Sequence, residues 1–150
     1  LVECGHLKNG AEGSFSGEEL KLGYRKSVYS DKDYIITSLT LKLQKGNKEE
    51  IKAKMDDLMS RRKDKQPLEY PSAGSVFKRP EGYFAGKLIQ DAGLRGYSVG
   101  GAQVSEKHCG FVINKGEATA ADVKRLVADV QQEVKKQFDV ELEPEVIFLG

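Results

Sequence analysis

The sequence has little cysteine, almost no net charge and no long apolar run, and each shortage removes a class of protein. Only Cys4 and Cys109 occur among 150 residues. A disulfide framework shows several cysteines at close spacing in a small secreted chain, so reduced thiols are expected. The formal net charge is +1. Dedicated nucleic-acid and membrane-surface binders carry a clear basic excess, and neither kind of partner is expected. No apolar run approaches the ~20 residues needed to cross a bilayer. There is no internal repeat and no low-complexity tract. His108 and Cys109 stand side by side, which on a strand turns the two side chains to opposite faces. No further ligands follow at zinc-like spacing, so no metal is expected. Cys109 reads as a packing residue, as do Cys4 and His6. The first residues, Leu-Val-Glu, carry no charged-then-apolar leader. The expectation is a cytoplasmic fragment of a longer protein, beginning inside a strand.

What is present suits an ordinary globular chain. Hydrophobic residues make up 39% and charged residues 31%, enough for one or two domains with a real core. Residues 1–45 read as β-rich, with a strand end at Leu1–Cys4, a turn-dense stretch over Gly5–Gly17 and a clear strand over Tyr34–Leu43. Asn47, with Glu50 three residues on, predicts a capped helix to about Lys63. Ile51, Met55, Leu58 and Met59 form its apolar stripe. Three prolines exclude regular helix from Gln66 to Pro80, leaving a loop and a short strand around Ser75–Lys78. A helix over Tyr83–Ala92 stopped by Gly93 follows, then a loop over Gly96–Gly101 and a buried strand over Gly110–Asn114. Thr119 caps a helix to about Phe138, with Val123, Leu126, Val127, Val130 and Val134 as its inner stripe. A last strand is expected at Val146–Leu149. Strand–helix alternation after residue 46 predicts an α/β (α+β) unit over residues 47–150, preceded by the tail of a β-rich domain over 1–46.

The stretch Pro71–Pro80 is the densest in chemistry. Gly74 permits close approach of the backbone to a ligand. Ser75 presents a hydroxyl that donates and accepts. Lys78 and Arg79 supply positive charge, and Arg grips phosphate with two bonds. Taken alone, these residues fit either an anion-binding loop or a proline-rich connector with incidental charges.

Five stretches in order carry a resemblance. Gly74-Ser75-Val76-Phe77-Lys78-Arg79-Pro80 is similar to the G-S-[FV]-F-[KQ]-x-P motif of the UDP-N-acetylenolpyruvoylglucosamine reductase (MurB) family. Tyr24-Arg25-Lys26-Ser27 resembles its Y-R-x-S motif. Ala85–Ile89 with Ala92–Gly96 resembles its A-[GW]-x-L-I-x-x-A-G-L-[RK]-G helix. Gln103–Ser105 with Lys107–Asn114 matches Q-V-S-x-K-H-[AC]-G-F-[IV]-[IV]-N. Glu143–Val146 matches the closing L-x-P-E-V-R element, except that Ile147 stands where the family has Arg. Lys65-Gln66-Pro67 lies at the family's [RK]-x-x-K-x-P element.

The resemblance implies a MurB-type substrate-binding domain at 47–150, preceded by the end of a flavin-binding domain at 1–46. It implies an oxidoreductase of peptidoglycan synthesis that uses FAD and NADPH to turn UDP-N-acetylglucosamine enolpyruvate into UDP-N-acetylmuramate. Reduced flavin delivers hydride to the enolpyruvyl methylene, and charge builds toward the carboxylate. By carry-over Ser75 is the proton donor, with Arg25 and Glu145 as the other catalytic residues. Tyr24, Lys65, Lys78 and Arg79 are the expected substrate contacts. The glycine-rich region that holds most of the flavin in the family has no counterpart here. FAD is therefore expected to be absent, and the alternative is a flavin-free, non-catalytic nucleotide-sugar-binding module.

Overall fold

The computed structural model describes residues 2–6, 8–24, 26–30 and 33–148. It divides into two compact units, Leu1–Lys48 and Glu49–Gly150. In the first, β1 (Val2–His6), β2 (Glu12–Phe15) and β3 (Tyr34–Leu39) form an antiparallel sheet in the order β2-β1-β3. Val2 and Cys4 alternate inward along β1 and are buried. Phe15, Tyr29 and Tyr34 meet edge to face, with centroids 5.4–6.0 Å apart, and His6 meets Tyr34 in the same way at 4.9 Å. Two expectations change here. The turn-dense stretch contains β2, whose Glu-Gly-Ser-Phe has no apolar alternation and pairs through its backbone alone. The strand from Tyr34 ends at Leu39 rather than running to Leu43.

In the second unit, α1 (Lys48–Lys65) begins directly after Asn47, as the capping residues predict. Its apolar stripe forms, yet no residue of the helix is buried. Beyond it lie β4 (Ser72–Ser75), α2 (Ala85–Asp91), β5 (Ser98–Val99), β6 (Ala102–Val104), β7 (Phe111–Asn114) and α3 (Ala120–Phe138). The sheet order is β4-β7-β6-β5, antiparallel throughout. Strand–helix alternation therefore builds an α+β unit here, not a parallel βαβ sheet. The loop expected at Gly96–Gly101 contains β5, which closes a hairpin with β6. The strand expected at Ser75–Lys78 lies instead at Ser72–Ser75, and of the next three residues only Phe77 bridges, to Pro144.

α3 follows its sequence signals closely. Thr119 Oγ1 accepts from Asp122 N–H at 3.1 Å, and the Asp122 carboxylate accepts from Thr119 N–H at 2.9 Å. Leu126, Val127, Val130 and Val134 are buried and pack with Val76, Leu88, Ile89, Val104 and Val112 into one core. The strand expected at Val146–Leu149 is absent from residues 146–148. That segment joins the fold through an isolated bridge, Phe77 to Pro144, and the ladder goes no further because Val76 N–H, which would continue it, donates to Gly110 O. No helix among the described residues is long and apolar enough to cross a membrane.

Candidate active site

Ser75 lies at the end of β4 and lines an open cleft of about 690 Å³ within the second unit. Arg62, Gln66, Leu68 and Tyr70 line it from the end of α1 and the loop that follows. Gly74 and Ser75 come from β4, and His108 and Phe111 from the start of β7. Gly74 has φ +84°, in the left-handed region, and a Cβ there would meet nothing within 4 Å. The glycine is thus required by backbone conformation, and open space lies where its side chain would be. It turns the chain so that Ser75 follows on the cleft's edge. Ser75 Oγ donates to Phe77 O over a long 3.4 Å, a weak tether for an exposed hydroxyl.

Beneath that hydroxyl the backbone is crowded. A Cβ on Gly110 would lie 3.5 Å from Ser75 Oγ and 3.0 Å from His108 Cε1. His108 Nδ1 accepts from Gly110 N–H at 3.1 Å, so the neutral ring carries its proton on Nε2. Phe111 holds the imidazole edge to face at 5.0 Å. On α2, a Cβ added to Gly86 would come within 3.1 Å of Gly110 N and 3.3 Å of His108 Cε1. Small residues at 86 and 110 are what let α2, the imidazole and the serine hydroxyl share this space.

The backbone also joins Ser75 to the end of the chain. Val76 N–H donates to Gly110 O at 2.9 Å, Glu145 N–H to Val76 O at 2.7 Å and Lys78 N–H to Glu143 O at 2.8 Å. Glu145 is therefore bonded to the residue next to Ser75, although the two are far apart in sequence. Arg25, the third expected catalytic residue, lies outside the described residues. Tyr24 belongs to the first unit, where its side chain is exposed.

The expected substrate cations are arranged differently from Ser75. Lys78 forms an ion pair with Glu143. Arg79 sets its guanidinium 4.0 Å over the Phe84 ring and donates from Nε to Tyr83 O at 3.3 Å. Lys65 ends α1, but Arg62, one turn earlier, is the α1 cation that lines the cleft. Reasoning from sequence missed Arg62, Gln66, Tyr70 and His108 as cleft residues. The histidine's presence in the same matched stretch as Lys107 and Gly110 was the available signal. Burial pushes the Cys109 thiol above its ordinary range, against the pull of Arg95, which fits an inert core thiol. No cluster of three His, Cys, Asp or Glu side chains suited to a metal occurs among the described residues.

Comparison with known proteins gives a consistent picture. Residues 66–149 match the family model described as UDP-N-acetylenolpyruvoylglucosamine reductase, C-terminal domain. The UDP-N-acetylenolpyruvoylglucosamine reductase of Agathobacter rectalis is 65% identical over 150 residues, covering 100% of this chain and 46% of that protein. That of Lachnoclostridium phytofermentans is 63% identical over 143 residues, covering 95% and 46%. Among solved structures, UDP-N-acetylenolpyruvylglucosamine reductase (MurB) from Thermus caldophilus superposes with a TM-score of 0.76 at 40% identity, covering 96% of this chain and 51% of that one. The chain spans about half the length of the curated relatives it matches.

Proposed function

The chain belongs to the UDP-N-acetylenolpyruvoylglucosamine reductase family, and on that premise we propose that it is the substrate-binding half of an NADPH- and FAD-dependent reductase. The whole protein would convert UDP-N-acetylglucosamine enolpyruvate to UDP-N-acetylmuramate in cytoplasmic peptidoglycan synthesis. The observation that carries this reading is Ser75, at the edge of the 690 Å³ cleft, with Glu145 bonded to the neighbouring Val76.

Reducing the enolpyruvyl double bond adds a hydride equivalent to its methylene carbon and a proton to the carbon beside the carboxylate. This chain's share is the second half. Ser75 Oγ delivers the proton, and Arg25 holds the carboxylate on which charge accumulates, its fork planar and permanently charged. Glu145 completes the proton network around the enol form. Tyr24, Lys65, Lys78 and Arg79 contact the nucleotide sugar, joined by Arg62 from the cleft wall.

One feature of the first unit supports a flavin held mostly by other contacts. The cleft against the first sheet is lined by Glu3, Cys4, Gly5, Glu12 and Gly13, and two carboxylates there oppose a diphosphate, which needs backbone donors and positive potential. On the proposed reading most of the flavin's contacts lie outside this chain, and the isolated chain should purify colourless. A second reading, a flavin-free nucleotide-sugar-binding module, rests on the same acidic cleft.

The test is to join the chain to the first half of the Agathobacter rectalis relative. The fusion is expected to be yellow and to oxidise NADPH beyond one equivalent per flavin only when the enolpyruvyl nucleotide sugar is added. A yellow fusion that leaves that substrate unreduced would overturn the reductase reading.

A further inference from the structure

The α1 side of the Ser75 cleft is held only in part by packing: Pro67, just past the helix, is buried, while α1 itself buries nothing. Arg62 and Gln66 sit at the end of α1, a helix with no buried residue. Ile51, Met55, Leu58 and Met59 are each about half exposed or more, so apolar contact along the body of the helix does not fix its position. Polar ties act at its end, beside the buried Pro67. Lys107 Nζ donates to Lys63 O at 3.1 Å, in the last turn of α1, and to the Glu69 carboxylate at 3.1 Å. An ammonium on the last carbonyls of a helix is well placed, because those groups lack intrahelical partners and carry negative partial charge. The Glu69 carboxyl is held below its ordinary range by its own backbone N–H and by Lys107. Past the other end of β7, Lys115 Nζ donates to Tyr70 OH at 3.2 Å and lies 4.7 Å from the centre of its ring.

We propose that Lys107 is a positioning residue for the nucleotide-sugar substrate, setting the distance between the Arg62–Tyr70 wall of the cleft and His108. Its own backbone immediately precedes His108, while its ammonium holds the opposite wall. One side chain therefore spans the two sides of the cleft, and Lys115 fixes the far end of the same wall through Tyr70. The inference rests on the reading that this cleft takes the nucleotide sugar. The ammonium of Lys107 is bonded to Lys63 O and Glu69 and not to Ser75, so its effect should fall on affinity and not on the chemical step.

The experiment uses the 150-residue chain with uridine diphosphate as the probe, titrated by calorimetry. Lys107→Ala should weaken binding roughly three- to tenfold, the range a partly exposed charged hydrogen bond supports. Lys107→Arg, which keeps the charge and the donors, should restore most of it. The thermal midpoint should hardly move, because Glu69 and Lys107 are partly exposed and such pairs add little stability. Unchanged affinity in Lys107→Ala would overturn the proposal. So would a loss of affinity that tracks a fall in thermal midpoint and is not rescued by arginine. If the unaltered chain binds no uridine diphosphate, the reading of the cleft itself fails, and the proposal with it.

Discussion

Gly101→Ala should be among the most damaging single-methyl changes in the second unit. A Cβ there would lie 2.0 Å from Gly116 O, 2.5 Å from Ala118 N and 2.8 Å from Ala118 Cα. All three are backbone atoms, so no side-chain rotation relieves the clash. Gly116 O would have to retreat about 1.4 Å before reaching ordinary contact. That movement strains a small network. Asn114 Oδ1 accepts from Gly116 N–H at 2.9 Å and from Ala118 N–H at 3.2 Å, and Lys115 N–H donates to Gly101 O at 2.9 Å. Thr119, which caps α3, follows directly. Losing two or three bonds at about 1 kcal/mol each gives a cost of about 3 kcal/mol. For a unit of this size that is on the order of 10–20 °C in thermal midpoint. Helical circular dichroism reports the right unit, since α1, α2 and α3 all lie at or beyond residue 48. A Gly101→Ala protein melting within a degree or two of the original would refute the steric argument.

Other outcomes follow from the same geometry. Leu126→Ala, at a fully buried position on α3, should cost ~2–5 kcal/mol in urea unfolding. Asp122→Ala should destabilise α3 at neutral pH, and the deficit should shrink in acid. Bonds from the Thr119 backbone and hydroxyl lower the Asp122 pKa, so its stabilisation is present above the ordinary carboxylate value and is lost as pH falls through the depressed one. Unfolding midpoints measured down a pH series would show the two curves converge. In the flavin-bearing fusion, Ser75→Ala should slow flavin reoxidation by substrate ~10²–10⁴-fold and leave flavin reduction by NADPH unchanged. Stopped-flow spectra resolve the two half-reactions, and an equal fall in both would remove Ser75 from the proton-donor role.

Signals that act over a few residues were readable in the sequence itself. The 3.6-residue spacing of Leu126, Val127, Val130 and Val134, with Thr119 and Asp122 before it, determined α3 and its buried face. Helix formation and capping are local hydrogen-bond problems, and their solution is written in neighbouring residues. The Gly74-Ser75 stretch and the Glu143–Val146 element were likewise visible as motifs. Tertiary structure decided the rest. β2 and β5 lack an apolar pattern and exist because β1 and β6 offer them backbone partners. Residues 146–148 are not a strand, because Val76 N–H, which would continue the ladder past the single Phe77–Pro144 bridge, is taken by Gly110 O. The stripe on α1 was legible, but its exposure was not, since burial depends on what else comes near. The cleft itself brings Arg62, Ser75 and His108 together from three segments. Long-range pairing of β4 with β7 unites two of them, and Lys107 holds the third. That meeting is a property of the fold and of no single stretch of sequence.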